Sequence, residues 1–272
     1  MITRQYQGED KALRKILPVL FPELSYAEIC ALFRRKDVKV DGVRKGGDFV
    51  VSDGMTVSVY PRKKKEIKVV YEDENLLVAY KPKGIASAGA SSFETVVKEE
   101  KGEHCVLMHR LDTNTDGVIL FAKNAQTEAE LFRAMKDGEI VKHYVAEVYG
   151  HPPAGKEISL RYYYRKDEEE KRAIISKTEK SGYLPVELTF KVIEVKDRSA
   201  LLSVELHKGK MHQIRAMLAA YGYFILGDGK YGDDEVNRAL GVKRHLLTAV
   251  DFDFHLPQNS LLSYLNGIRI SL

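Results

Sequence analysis

The stretch 108–124, MHRLDTNTDGVILFAKN, decides how the larger part of this chain is organised. Its second half, Gly117–Ala122, is an apolar run with the length of a buried strand. Asn124 follows at once and predicts the N-cap of a helix that should reach about Met135. The polar residues 112–116 precede the strand and predict a loop there, where a carboxylate can be held rigidly and still face a cleft.

Short strands outnumber helices in the rest of this larger part. A further helix is predicted at about His212–Ala220, where Gly222 ends it. The charged segment Lys166–Arg172 is predicted to be an exposed loop. Strands are predicted at about Ile67–Tyr71, Leu76–Tyr80, Val141–Val148, Val186–Val195 and Ala200–Leu206. Together these elements predict an α+β fold with a mostly antiparallel sheet.

The first 61 residues have a different pattern. One helix is predicted from Lys11 to the break at Pro22, and a second begins at Ser25, which forms a capping-box pattern with Glu28. Short strands separated by Asp-Gly turns follow. The expected domains are a small α/β unit over residues 1–61, a basic linker over 62–66 and a larger unit over 67–272.

The charge of the chain is unevenly distributed. The 272 residues are 44% hydrophobic and 30% charged, a composition typical of globular proteins, with a net charge of +4. Residues 1–65 hold 14 Lys+Arg against 8 Asp+Glu, so the excess of positive charge lies in the first quarter. Such segregation predicts a module that binds a polyanion, although a lysine run is also common in solvated linkers.

Several classes of protein and site are disfavoured. No apolar run approaches the roughly 20 residues of a membrane helix, and the N-terminus lacks the apolar core of a signal peptide. Cys30 and Cys105 are isolated, which argues against a disulfide framework and against a cysteine-rich zinc site. Three scattered histidines, His109 and His212 among them, are a poor zinc pattern, so we expect no metal. These features predict a cytoplasmic protein.

Five ordered segments carry a family resemblance. From the residues alone, Arg110 and Asp112 are compatible with a structural ion pair or turn residues as well as with catalysis. The segment HRLDTNTDG, however, resembles the HRLD signature of RluA-type pseudouridine synthases. Four further segments match that family in the same order: YKPKGI at 80–85, KHYVAEVYG at 142–150, GKMHQIRAMLAAYGYFILGDGKYG at 209–232 and RHLLTAVDFDFHLP at 244–257. Residues 10–60 resemble the S-four-type RNA-binding domain.

The resemblance implies isomerisation of uridine to pseudouridine within RNA, without metal or cofactor. By carry-over, Asp112 is the catalytic residue, acting either as nucleophile or as the base that removes a sugar proton. Arg215 is its expected charged partner, and Tyr144 is the active-site aromatic on the neighbouring strand. His212 and Gln213, with the histidine of the HRLD segment, are expected to shape the pocket. We therefore leave them off the catalytic list.

Five positions depart from the family pattern. Asp116 stands where the family usually has Ser, and Thr248 stands where a residue of the Ala type is usual. Asn114 replaces a common Asp, and Lys210-Met211 replaces the common Arg-Thr. None of these changes removes a residue expected to be catalytic. They bear on target choice and loop geometry.

RNA is the expected partner, bound by a chain that acts as a monomer. Large-subunit ribosomal RNA is the preferred substrate because the two-domain layout resembles the ribosome-directed branch, and transfer RNA is the alternative. Protein contacts with the RNA phosphates would position the RNA without reading its sequence. Their expected contacts are Arg34, Arg35, Lys36, Lys39, Arg62, Lys63, Lys64 and Lys65.

Two other functional classes remain open at this stage. A non-catalytic RNA-binding or ribosome-assembly factor could keep the same scaffold, although the presence of Asp112, Tyr144 and Arg215 argues against it. A retaining glycosidase would need a second carboxylate close to Asp112. Asp116 is the nearest candidate in the sequence.

Overall fold

The structure, a computed structural model, describes residues 1–61 and 66–272. The chain divides into two compact units, Met1–Lys65 and Glu66–Leu272, and each has its own cluster of buried apolar side chains. The division falls within the segment 62–66 that the sequence predicts as a linker. Arg62, Lys63, Lys64 and Lys65, four of the predicted phosphate contacts, lie outside the described residues.

The N-terminal unit combines two helices with short antiparallel strands. Strand β6 is the centre of a sheet with the order β1-β6-β3-β4, and β2 pairs with β5. The elements are β1 (Ile2–Gln5), β2 (Lys11–Ala12), α1 (Leu13–Leu20), α2 (Tyr26–Arg35), β3 (Val38–Val40), β4 (Val43–Arg44), β5 (Val50–Val51) and β6 (Thr56–Val59). The two strands that precede α1 are additions to the sequence prediction.

Both helices form where local chemistry favours them. The Ser25 hydroxyl accepts a hydrogen bond from the Glu28 amide, and the Glu28 carboxylate accepts one from the Ser25 amide, which completes the predicted capping box. Helix α1 starts two residues later than predicted because Lys11 pairs with Val51 in a strand. Its apolar face, including Leu13, is fully buried in the core of the unit.

The larger unit is built on one sheet of eleven strands. The strand order is β13-β12-β14-β15-β11-β16-β10-β8-β7, with β17 beside β16 and β9 beside β10. Its elements are β7 (Lys68–Glu72), β8 (Leu76–Lys81), α3 (Phe93–Lys101), β9 (Val106–Leu107), β10 (Asp116–Ala122), α4 (Ala125–Asp137), β11 (Ile140–Tyr149), β12 (Ile158–Asp167), β13 (Arg172–Ser176), β14 (Leu184–Val195), β15 (Ser199–Leu206), α5 (Gln213–Tyr221), α6 (Asp234–Ala239), β16 (Leu247–Phe254) and β17 (Ile270–Ser271).

The predicted α+β class with a mostly antiparallel sheet is confirmed. Among the described strands of this sheet, β10 and β16 form the one parallel pair, in which Asp116 lies opposite Thr248 and Gly117 opposite Ala249. The approach at this pair is very close, since a Cβ atom on Gly117 would lie 2.0 Å from the Ala249 carbonyl oxygen. Gly117 also has a φ of +121°, so both space and backbone conformation require glycine here.

One expectation about this unit is right in part, and another is wrong. Residues 168–171 form the predicted exposed turn, but β12 continues to Asp167 and pairs with β13, which starts at Arg172. Charged side chains are tolerated there because β13 is an edge strand. Tyr144 is not on the strand next to β10, because β16 lies between β10 and β11. The neighbour of β10 on this side is β16, which comes from the far end of the sequence, and no local pattern reveals this strand order.

In the described part of the chain, no helix is both long enough and apolar enough to cross a membrane.

Candidate active site

Asp112 lies in the loop between β9 and β10, at the start of the strand that the sequence pattern predicts. The loop is held from two sides. The Ser87 hydroxyl donates to the Leu111 carbonyl at 2.7 Å and accepts from the Leu111 amide at 2.9 Å, and the Thr115 amide donates to the Asp112 carbonyl at 3.0 Å. The Asp112 side chain keeps 18% of its surface exposed, so it is fixed in place and still accessible.

Arg215, in the first turn of α5, contacts Asp112. Its Nη1 atom donates to Asp112 Oδ2 at 2.8 Å, although 103 residues separate the two positions. Arg110, the other candidate partner in the sequence, is exposed. The geometry therefore brings together the two residues that the family resemblance pairs.

A second carboxylate holds the other side of the Arg215 guanidinium. Nε of Arg215 donates to Asp228 Oδ2 at 2.7 Å and Nη2 donates to Asp228 Oδ1 at 2.8 Å, a bidentate pair. Burial by itself raises the pKa of Asp228, but hydrogen bonds and the charge of Arg215 outweigh it, and the pKa lies below its usual value. For Arg215, burial alone lowers the pKa, yet the two carboxylates raise it above its usual value, so the guanidinium stays charged.

Asp228 is the site residue that sequence reasoning missed. It belongs to the segment GDGKYG, which the family comparison quotes but to which no role was assigned. Its side chain has no exposed surface. Burying a carboxylate destabilises the fold unless the carboxylate is paired, so an Asp that closely follows the apolar run 224–226 was the available signal that a cationic partner lies nearby.

Tyr144 lies in β11 and lines the same cavity as Asp112 and Arg215. The cavity has a volume of about 1270 Å³. Burial, with a contribution from the negative charge of Asp112, raises the pKa of Tyr144 well above its usual value. The hydroxyl is therefore protonated at neutral pH. The three residues predicted to be catalytic thus line the same cavity.

His212 packs next to the Asp112 carboxylate, and Tyr231 packs against His212. The Tyr231 hydroxyl accepts a hydrogen bond from the Ala173 amide and lies 3.0 Å from His212 Nδ1, and His212 Nε2 lies 3.8 Å from Asp112 Oδ2. His212 has a φ of +57°, a rare conformation for a residue with a side chain. Burial is the largest cause of its lowered pKa.

The other residues expected to shape the pocket connect backbone segments. Gln213 accepts a hydrogen bond from the Lys210 amide at 3.0 Å and donates to the Glu187 carbonyl at 2.9 Å, which links the start of α5 to β14. His109 Nε2 accepts from the Leu120 amide at 3.2 Å. These contacts are structural, in keeping with the choice to leave both residues off the catalytic list.

Lys81 clamps the loop that faces Asp112. Its side chain is fully buried, and its ammonium donates to the Pro82 and Ile85 carbonyls at 3.0 Å each and to the Thr113 carbonyl at 3.4 Å. Burial lowers the pKa of Lys81 to about 8, against the opposing effect of nearby carboxylates. Thr113 directly follows Asp112, so this clamp is one residue away from the catalytic candidate.

Two of the departures from the family pattern contact each other. The Thr248 hydroxyl donates to Asp116 Oδ1 at 2.8 Å, and the Tyr80 hydroxyl donates to Asp116 Oδ2 at 2.9 Å. Lys83 Nζ lies 3.7 Å from Asp116 Oδ1. Asp116 is not part of the cavity lining. It therefore does not serve as the second carboxylate that a retaining glycosidase needs beside Asp112.

The four described residues among the predicted phosphate contacts lie at the junction of α2 and β3. Arg34 and Lys36 are exposed, and Lys36 ends α2 with a φ of +59°. Arg35 pairs with Asp37 at 2.9 Å, and the Lys39 ammonium lies 5.4 Å from the centre of the Tyr60 ring. Arg34 and Lys36 are thus the more available of the four for a ligand.

Comparisons with known proteins assign the family. A family model described as RNA pseudouridylate synthase matches residues 75–220. The ribosomal large subunit pseudouridine synthase C of Rickettsia conorii is 31% identical over 254 residues, covering 82% of this chain and 83% of that protein. The dual-specificity RNA pseudouridine synthase RluA of Salmonella typhi is 31% identical over 183 residues, covering 64% of this chain and 81% of that protein.

Solved structures share the fold. Human RNA pseudouridylate synthase domain containing 1 superimposes with a TM-score of 0.60 at 19% identity, covering 79% of this chain and 92% of that one. Human RNA pseudouridylate synthase domain containing 4 gives a TM-score of 0.56 at 22% identity, covering 69% of this chain and 84% of that one. With the family model spanning more than half of the sequence, the chain belongs to the RNA pseudouridylate synthase family, in its RluA-type branch.

Proposed function

We propose that this RNA pseudouridine synthase modifies uridines of large-subunit ribosomal RNA and that Asp112 is its catalytic residue. The names of the Rickettsia relatives support the choice of RNA. The observation that carries the proposed role of Asp112 is the 2.8 Å contact between its carboxylate and Arg215 inside a cavity that Tyr144 also lines. A second target RNA is compatible with the dual specificity named for the Salmonella typhi relative.

The reaction rearranges bonds within one nucleotide. The bond between N1 of uracil and C1′ of ribose breaks, the base turns over in place, and C5 forms a new bond to C1′. The proton on C5 leaves, and N1 gains one, so the product is an isomer of the substrate. Asp112 starts the sequence either by attacking the ribose as nucleophile or by removing a sugar proton.

Either role needs an ionised carboxylate that is already oriented. Arg215 supplies the opposite charge, and one of its donors binds Oδ2, which leaves Oδ1 of Asp112 available to the substrate. Asp228 holds the guanidinium by its other two nitrogens, Nε and Nη2, so Arg215 cannot turn away. A lysine would carry the charge without this planar, multidentate geometry.

Tyr144 is proposed to stack on the uracil ring. Base–aromatic stacking contributes about 1–3 kcal/mol in general. Its raised pKa keeps the hydroxyl neutral, so removal of the C5 proton by this group would first require loss of its own proton. Binding and orienting the base is therefore the better supported role for Tyr144.

The target base must leave the RNA stack to reach the cavity, at a general cost of a few kcal/mol. Contacts with the RNA backbone elsewhere offset that cost. We propose that the N-terminal unit, the S-four-type module of the sequence analysis, provides them through Arg34 and Lys36 at the α2–β3 junction, with Arg35 and Lys39 beside them. The positive charge of residues 1–65 supports this role.

Carbodiimide primer-extension mapping of ribosomal RNA tests both substrate and residue. RNA from cells that lack the protein is compared with RNA from cells that carry the wild type, Asp112→Asn or the control Asp197→Asn, whose side chain is 95% exposed in a turn. We expect stops at specific uridines with the wild type and the control and none with Asp112→Asn. Purified Asp112→Asn should bind RNA nearly as well as the wild type.

Two results would overturn the proposal. Stops that persist with Asp112→Asn would remove Asp112 from the catalytic role and favour another residue. Absence of any stop that depends on the wild type, with RNA binding retained, would favour the non-catalytic assembly factor or a different RNA, which the same mapping on transfer RNA would reveal.

A further inference from the structure

The cavity around Asp112 is larger than one base requires. Its volume of about 1270 Å³ exceeds the roughly 300–1,000 Å³ of pockets that hold an entire drug-sized ligand. A uracil ring is smaller than such a ligand. The space beyond the target base must therefore be filled by something else, by water or by more of the substrate.

Phe132 lies in the wall of this extra space. It is 69% exposed, whereas the same helix, α4, buries Thr127, Leu131 and Ala134 against the sheet. The helix therefore does not use this ring for its own packing. Lys136 lies one turn further along α4 on the side of Phe132, and it also lines the cavity.

The end of α4 is tied to the strand that carries Tyr144. Gly138 caps the helix, and its carbonyl accepts a hydrogen bond from His207 Nδ1 at 3.1 Å. The His207 carbonyl in turn accepts from Lys142 Nζ at 2.7 Å, and Lys142 precedes Tyr144 by two residues in β11. These bonds hold the wall formed by α4 in a fixed position relative to the proposed target-base site.

The charge of the cavity wall suits an RNA strand. Of the described residues that line it, eight are Lys or Arg and three are Asp or Glu, although the larger unit as a whole has a slight negative balance. Lys136 follows Phe132 on the helix. Lys208 approaches the helix end, since its Cε would lie 3.4 Å from a Cβ on Gly138. An exposed aromatic ring with cations nearby along the same wall matches a base and its phosphates.

We propose that Phe132 is a stacking platform for a second, unpaired base of the substrate RNA, close to the target uridine, with Lys136 and Lys208 binding the adjoining phosphates. This inference rests on the proposed function, because it extends the same RNA-binding cavity. Stacking depends little on base identity. The platform therefore selects uridines that have an unpaired neighbour, whatever that neighbour is.

Abasic scanning with the full-length chain tests the platform. The probe is an RNA hairpin with the uridine that the wild type modifies, and a series in which one base at a time, within about four nucleotides of the target, is replaced by an abasic ribose. Affinity and steady-state turnover are measured for the wild type, Phe132→Ala, Phe132→Tyr and Ile193→Ala. Ile193 is the matched control, an exposed apolar side chain of β14 (54% exposed) outside the cavity lining.

We expect Phe132→Ala to weaken affinity and raise KM by about 5-fold or more, which corresponds to about 1 kcal/mol, with kcat changed by less than about 2-fold. Phe132→Tyr, which keeps a flat ring, and Ile193→Ala should match the wild type. One abasic position should weaken wild-type binding by the same factor and have no further effect in Phe132→Ala, because the two changes remove the same contact.

Equal affinities of Phe132→Ala and the wild type would overturn the platform. So would a loss that is the same for every abasic RNA, since the ring would then contact something other than a base. A wild type that modifies no uridine would instead contradict the proposed function. In that case, the affinities of the wild type and Phe132→Ala for a uridine-rich hairpin of fixed sequence would still test the platform, and equal affinities would again refute it.

Discussion

Arg215 Nη1 lies 2.8 Å from Asp112 Oδ2, while the other face of the same guanidinium is held by Asp228, a carboxylate with no exposed surface. The catalytic candidate is thus oriented by a cation that is itself immobilised. Positioning in this enzyme depends on two linked ion pairs, in which Asp112 is the carboxylate that lines the cavity and Asp228 is the buried one.

Arg215→Lys should therefore affect turnover more than folding. We expect kcat to fall by about 10²-fold or more, because a preorganised donor to the reacting carboxylate is lost. The free energy of unfolding should fall by about 1–2 kcal/mol, because Asp228 loses part of its pairing. Single-turnover kinetics and urea unfolding measure the two effects.

Arg133→Lys is the control for Arg215→Lys. Arg133 also contacts several carboxylates, Glu130, Asp137 and Glu139, but it is 39% exposed on α4. Surface pairs contribute little, so this variant should keep wild-type turnover and stability. Wild-type turnover in Arg215→Lys would show that the guanidinium geometry of Arg215 is not needed to orient Asp112.

Asp116 and Thr248 should be energetically coupled. Their hydrogen bond at 2.8 Å joins the parallel strands β10 and β16. In a double-mutant cycle with Asp116→Ser and Thr248→Ala, the residue types usual in the family, we expect an interaction energy of about 0.5–2 kcal/mol in unfolding. The double variant should retain turnover, because Asp116 does not line the cavity. Strictly additive effects would contradict the coupling.

His245 should make stability depend on pH between about 6.5 and 4. It is buried, its Nε2 lies 2.8 Å from the Thr115 hydroxyl, and burial followed by the charge of Arg215 lowers its pKa to about 4. The unfolded chain takes up the proton first, near pH 6.5, so the stabilisation from neutral His245 is complete above that pH and is lost as the pH falls towards 4.

Replacing His245 should weaken this dependence. Between pH 7.5 and pH 5, we expect the free energy of unfolding of His245→Gln to fall by about 1–2 kcal/mol less than that of the wild type, since a shift of one pKa unit corresponds to about 1.4 kcal/mol. The exposed His151 gives the control His151→Gln. Urea unfolding at the two pH values measures the difference, and parallel losses in all three proteins would refute the assignment to His245.

The α2–β3 junction should contribute to the salt dependence of RNA binding. Replacing Arg34, Lys36 and Lys39 with Gln removes three cations, and each lost phosphate contact should lower the slope of log affinity against log salt by about 0.7–1. Lys15→Gln, an exposed charge on α1, is the control. Titrations at several salt concentrations measure the slope. An unchanged slope in the triple variant would remove the α2–β3 junction from RNA binding.

Sequence reasoning located the strands, helices and caps that depend on neighbours in the chain. The capping box at Ser25, the Asn124 cap of α4 and the glycine end of α5 all formed as predicted, since each rests on residues only a few positions apart. The edge hairpin formed by β12 and β13 was missed. Its strands are only partly buried, so charged side chains replace the apolar alternation that identifies a strand.

The sequence by itself determined the reaction class, because the ordered segments around Asp112, Tyr144 and Arg215 need no coordinates to be recognised. Only the tertiary structure placed β16 between β10, the strand that follows Asp112, and β11, which carries Tyr144. It also paired Asp228 with Arg215 and brought Asp116 against Thr248. These relationships join residues that are distant in the chain except for the pair Arg215–Asp228. They arise from sheet order and from the need to pair buried charge, which local patterns do not encode.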